Sequence, residues 1–234
     1  MSGDNLSHEI RSRFDALLEQ LRRGSVEMGS LVLENTRRLT DALLENDLRL
    51  AEEVIAADAE IDALYVKMER LAFETMARQQ PVAGDLRFLV TITRLLYEIE
   101  RSGDLVVNAA KGLVFQHGYE LPAEVRGLLS RIAARVSELW AKGVDVLDAL
   151  DGGSAQTLDR LDDEVDDLVG QFYTLIGSSS GTIGFEVAVE LSRVGRYLER
   201  IADHAVNIAE HVAFIVTGSF PEESHPPHPA PAPE

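Results

Sequence analysis

The chain has 234 residues, and its 40 acidic against 22 basic side chains leave a formal net charge of −18. A phosphate backbone repels such a surface, so nucleic acid is excluded as a direct partner. The absence of cysteine excludes a disulfide framework and thiolate metal sites and agrees with a reducing cytoplasm, while 45% apolar content supplies one large core or two small ones.

The N-terminal run MSGDNLSHEIRSRF lacks the apolar core of a secretory signal, so export is not expected. From there, apolar residues recur at steps of three and four with no alternating strand pattern, which predicts an all-α chain. Gly, Pro, Asn and Ser interrupt the periodicity near 45–47, 80–84, 118–122, 151–153 and 177–181, dividing it into six long helices. The longest uncharged stretch, 168–185, is broken in its middle by Gly177, Ser178, Ser179, Ser180 and Gly181, which argues for a soluble protein with no direct membrane insertion. In the sixth helix Val187, Leu191, Val194, Leu198, Ile201, Ala205, Ile208, Val212 and Ile215 form a heptad seam that should be buried. Six of the eight prolines fall within 221–234, so residues 219–234 read as a disordered Pro-rich tail.

Residues 94–115 align without a gap on 193–214, with 8 of 22 positions identical, among them Glu100 with Glu199, Asp104 with Asp203 and Asn108 with Asn207. Upstream, Asp58, Glu60 and Asp62 match Asp162, Glu164 and Asp166, with the second copy 5 residues shorter in between. The simplest account is a duplicated three-helix unit, spanning 1–118 and then 122–217, with antiparallel neighbours imposed by short turns.

Positions i, i+4 and i+8 advance only about 40° per step on a helix, so Glu100, Asp104 and Asn108 form one oxygen-rich ridge, as do Glu199, Asp203 and Asn207. The second ridge lies about 100–180° from Leu198, which predicts a place on or near the solvent face. Asp58 and Asp62, and likewise Asp162 and Asp166, sit on the shoulder of the buried face, where helix two would meet three and five would meet six. Each repeat can thus gather four carboxylates, whose repulsion a multivalent cation would relieve. Oxygen-only donors favour hard or borderline ions such as iron, zinc, manganese, magnesium or calcium. In so acidic a chain a merely solvated face is the competing reading.

At these residues the chain resembles the PhoU family of bacterial phosphate-transport accessory proteins. The resemblance is carried by RYLERIADHAVNIAEHV from Arg196, EIERSGDLVVNAAK from Glu98, the triplet Asp85, Leu86 and Arg87, and the shoulder at Asp58 and Asp62. It implies two three-helix bundles related by pseudo-twofold symmetry, with multinuclear metal sites at Asp58, Asp62, Glu100 and Asp104 and at Asp162, Asp166, Glu199 and Asp203. Asn108 and Asn207 would be flanking donors. It also implies a non-catalytic cytoplasmic adaptor that contacts the phosphate ABC transporter ATPase and a sensor histidine kinase and holds starvation signalling off when phosphate is plentiful. A homodimer is plausible from the long apolar-flanked helical surface.

Several features stand apart. The second repeat has Gly184, Phe185 and Glu186 where the first has Asp85, Leu86 and Arg87, and Ser102 and Gly103 replace Ile201 and Ala202, a change expected to loosen packing without touching a ligand. His204 and His211 lie near the second ridge, and His211, at i+12 from Glu199, could extend its ligand set by one. The run GSSSGTIG at 177–184 reads as a helix–helix turn, with an anion-cradling loop as the alternative. Arg193, Arg196 and Arg200 either neutralise the acids or form a partner-binding face. A carboxylate-bridged di-metal enzyme would need Glu-x-x-His on its metal-bearing helices, and the chain has that spacing only at Glu222 and His225, in the tail. A metal-free helical scaffold is the remaining alternative.

Overall fold

The computed structural model describes residues 2–219, and these form six α-helices: α1 (Ser2–Glu45), α2 (Leu48–Gln79), α3 (Ala83–Phe115), α4 (Ala123–Ala149), α5 (Ala155–Ile183) and α6 (Phe185–Thr217). The ends follow local chemistry. Asp47 caps α2 by accepting from the Leu50 N–H at 2.9 Å. Gln80 closes α2 in the left-handed region, with Pro81 behind it to prevent continuation. Asp151 turns the chain into α5, its carboxylate accepting from the Gly153 N–H at 2.9 Å and the Ser154 hydroxyl at 2.6 Å.

The fifth break is displaced from its expected position. Residues 177–181 are helical, and the turn is the single residue Gly184, at φ +85°. The serines there do not unwind the helix because the Ser178 and Ser180 hydroxyls donate back to the carbonyls of Leu175 and Gly177, and buried Ile176 anchors the segment. With a regular helix in its place, the anion-cradling loop drops out. The shorter second copy also finds its explanation. The α2–α3 turn has three residues and the α5–α6 turn one, and α6 starts three aligned positions later than α3.

Within each repeat the three helices pack on one another, and across the repeats α1 packs on α4 and α3 on α6. Helices α2 and α5 touch only their own repeat and lie on the outside. The buried apolar residues form one continuous cluster spanning both repeats. At the α1–α4 crossing the Trp140 indole donates to the Gly29 carbonyl at 2.8 Å. Gly143 brings α4 so close to α6 that a methyl group there would stand 3.2 Å from the Ala205 carbonyl oxygen. The heptad seam of α6 is buried from Leu191 through Ile215, with Val187 only partly covered. Among the described residues no helix is long and apolar enough to cross a membrane. Most of the Pro-rich tail, including Glu222 and His225, lies outside the described residues.

Candidate functional site

Glycine brings the acidic shoulder of α2 onto α3. A methyl group at Gly103 would stand 3.0 Å from Asp58 Oδ1 and 3.5 Å from Ile61, so Asp58 lies directly against α3, one residue before Asp104. The expectation that Gly103 touches no proposed ligand therefore fails: Asp58 packs directly on it. Burial, then repulsion from Asp62 and Asp104, raises the Asp58 carboxyl from 3.8 to about 6, with Lys111 opposing. Burial also raises Glu100, followed by repulsion from Asp104, Asp62 and Asp58. The first four carboxylates thus form one electrostatic unit.

The second set does the same on α5 and α6. Asp162 is raised from 3.8 to about 7 by burial first and then by Asp203, Asp166, Asp159 and Asp163. Burial and Glu199 raise Asp166, and burial, Asp166 and Glu199 raise Asp203. Asp162 Oδ1 is buried without a hydrogen-bond partner, a costly position for a carboxylate oxygen. Among the described residues no three Asp, Glu or His side chains converge as a ready-made metal cage. Arginines hold part of each set instead, Arg101 on Asp104 at 3.0 Å and Arg196 on Glu199 at 2.6 Å.

The ridges are less exposed than their helical angle predicts. Glu199, Asp203 and Asn207 are half-buried, because α3, α4 and α5 all pack against α6 and leave it only a narrow open face. The Asn207 side chain reaches the first repeat, donating a hydrogen bond to Glu98 that opposes the raising effect of burial on that carboxyl. His204 is turned away from the carboxylates as well. It is buried in the α3–α6 interface, with Nδ1 2.8 Å from the Ser102 hydroxyl and Nε2 3.4 Å from Glu98. Burial first, then Arg200 and Arg101, lowers it to about 4, so it is neutral near pH 7. His211 is lowered by burial and by Arg94 of α3, so its charged neighbour too belongs to the first repeat. Arg193 lies 3.4 Å from Glu190 and Arg196 pairs with Glu199, which places both among the acids of their own helix.

The triplet Asp85, Leu86 and Arg87 ties the helix ends together. Asp85 accepts from Arg11 of α1 at 2.6 Å, and Arg87 donates to the Ile215 carbonyl near the end of α6 at 3.0 Å. Sequence comparison of the repeats misses Glu98 and Ser102, because Tyr197 and Ile201 occupy their places in the second copy. It also misses Glu190, a buried carboxylate lying over Gly112 where a methyl group would be 1.7 Å from Oε1. No local pattern announces these residues, because each also makes a contact on another helix: Glu98 and Ser102 with His204, and Glu190 with Gly112.

A family model described as the PhoU domain matches residues 26–113 and again 129–212. The chain belongs to the PhoU family. It is 35% identical over 219 residues to phosphate-specific transport system accessory protein PhoU homolog 1 of Mycobacterium leprae (strain TN), covering 93% of this chain and 99% of that one. It is also 35% identical over 213 residues to PhoU homolog 2 of Mycobacterium tuberculosis (strain ATCC 25618 / H37Rv), covering 91% and 100%. PhoU from Pseudomonas aeruginosa superposes with a TM-score of 0.81 at 26% identity, over 88% of this chain and 100% of that one. The phosphate transport system regulatory protein PhoU from Streptococcus pneumoniae has the same fold, with a TM-score of 0.80 at 24% identity over 88% and 98%. Both carboxylate sets fall within the two PhoU-matched stretches.

Proposed function

We propose that this chain is a regulatory accessory protein of phosphate transport. As a cytoplasmic, non-catalytic adaptor it contacts the ATPase of a phosphate ABC transporter and a sensor histidine kinase, and it restrains uptake and starvation signalling when phosphate is plentiful. The observation that carries this reading is the double PhoU match, together with full-length relatives named as phosphate-specific transport system accessory proteins. Supporting it, α2 and α5 lie on the outside of the fold and hold one acidic shoulder each.

The two acidic sets serve this reading as cation sites: Asp58, Asp62, Glu100 and Asp104 in one repeat, Asp162, Asp166, Glu199 and Asp203 in the other. The donor chemistry fits iron, zinc, manganese or magnesium, since all donors are oxygens and one, Asp162 Oδ1, is buried without a partner. A bound ion would supply positive charge and join carboxylates of two helices. The protein's own part is to hold Asp58 and Asp162 half-buried against α3 and α6 and to release Asp104 and Glu199 from Arg101 and Arg196.

Deletion of the gene should derepress phosphate-starvation genes in phosphate-rich cells, and capture from those cells should recover the transporter ATPase or a sensor kinase. Unchanged expression with neither partner recovered refutes the regulatory reading. Metal content measured on the purified protein should fall in Asp104→Ala and Asp203→Ala with helicity retained. Unaltered metal stoichiometry removes these ligands, and absence of metal from the unmodified protein leaves the metal-free scaffold.

A further inference from the structure

One face of the first repeat is apolar where packing asks for nothing. Val66 and Phe73 of α2 are 57% and 54% exposed, and Leu86, Val90 and Tyr97 of α3 are 41%, 41% and 53% exposed. None of the five belongs to the core cluster. On α2, Val66 and Phe73 follow Asp62 by four and eleven residues, and on α3, Leu86, Val90, Tyr97 and Asp104 succeed one another at steps of four, seven and seven. Each set therefore lies along the outward side of its helix together with an acid of that helix. Asp58 packed on Gly103 fixes how the antiparallel pair aligns, which puts Phe73 level with Val90 and Val66 level with Tyr97. The result is one strip, about 27 Å from Leu86 to Asp104, that turns from apolar to acidic along its length. Tyr65 sits at the change, donating to Glu69 at 2.7 Å.

The second repeat does not keep this strip. Gly170 and Gly177 stand at the positions of Val66 and Phe73, and Arg196 at that of Tyr97, while Phe185 and Val189 replace Leu86 and Val90. A methyl group at Gly170 or Gly177 would meet nothing within 4 Å, so the fold needs no side chain there. Val66 and Phe73 therefore serve something outside the chain. We infer that the α2–α3 strip docks one amphipathic helix of a partner protein, its apolar side on Val66, Phe73, Val90 and Tyr97 and a lysine- or arginine-bearing end over Asp62 and Glu100. The inference rests on the adaptor reading above and names the surface that the adaptor uses. A helix of about five turns spans the strip and lays its apolar side along the groove between two antiparallel helices. A basic end fits because Asp58, Asp62, Glu100 and Asp104 stand there against Arg101 and Lys111, with Arg101 already paired to Asp104. A second copy of this chain, itself at −18, or an anionic membrane would bring more negative charge to that end.

The test measures binding of the purified full-length chain to the purified transporter ATPase and to the cytoplasmic part of the sensor kinase, in chelator so that no cation screens the acids. Val66→Ser combined with Phe73→Ser should weaken the interaction roughly tenfold or more. Phe73→Leu should retain it, and Phe185→Ser combined with Val189→Ser, on the second repeat, should leave it unchanged. All four positions are exposed, so helicity and melting should be preserved. Affinity should fall with added salt, and a benzophenone side chain at position 73 should cross-link to a partner helix that is apolar on one side and carries Lys or Arg at one end. Indifference to the strip substitutions, equal loss from the second-repeat pair, salt-independent binding, or a cross-link to an acidic or non-helical segment overturns the inference and leaves the adaptor reading standing. So does a strip variant that changes only self-association in sedimentation, or only binding to phosphatidylglycerol vesicles, since the occupant is then a second copy or a membrane. An unmodified chain that binds neither protein overturns both.

Discussion

Asp162→Asn isolates the cost of the acidic groove from everything else the groove does. The substitution keeps the shape of the side chain and removes its charge. The Asp162 carboxyl sits at about 7 in the folded protein against 3.8 for an ordinary aspartate, so the folded state holds its proton more tightly than the unfolded state. The associated stability is therefore fully present below about pH 4 and lost as pH rises through 7. At 1.36 kcal/mol per pH unit the shift amounts to about 4 kcal/mol, and halving it for a half-exposed, solvent-screened group leaves about 2 kcal/mol. For a chain of this size that corresponds to roughly 4–8 °C in melting temperature. In chelator, at pH 8, the variant should melt higher than the parent by that amount, and the two curves should converge below pH 5. Added Mn²⁺ should raise the parent more than the variant, which keeps only the first-repeat site intact. Parallel melting-temperature curves from pH 5 to 8 in chelator would refute the reasoning, because they would mean that Asp162 is not strained by its neighbours.

His204 works with the opposite sign: its lowered value of about 4 means that stability is lost as pH falls below 6.5. His204→Leu, which installs the residue at the aligned Leu105, should flatten that acid limb and change stability at pH 7 by less than about 1 kcal/mol, read from thermal melts. Trp140→Phe removes the bond to the Gly29 carbonyl and part of a fully buried ring, and should cost about 1–3 kcal/mol in denaturant unfolding. Two glycine substitutions should diverge in the same assay. Gly112→Ala drives a methyl group into Glu190 and should destabilise by about 2 kcal/mol or more, whereas Gly127→Ala, with nothing within 4 Å, should stabilise α4 by about 0.5–1 kcal/mol.

What could be read in the sequence divides along a physical line. Helix number, the α6 seam and the pairing of Asp58 with Asp104 and Asp162 with Asp203 are properties of periodicity and duplication, and these survive in the fold because each depends on spacing within a helix or on one neighbouring helix. The end of α5 escaped because glycine and serine lower helix propensity without forbidding it, and a helix already anchored by Ile176 extends past them at small cost. His204, Asn207 and Gly103 escaped for a different reason. A helical angle places a side chain relative to its own axis, but α6 has three packed neighbours, so most of its circumference faces protein. Polar residues on such a helix find partners across the repeat interface, as His204 does in Ser102 and Glu98. The same packing covers the carboxylates enough to strain them, so the duplication supplies the acids and the union of the repeats in one core supplies their electrostatic tension.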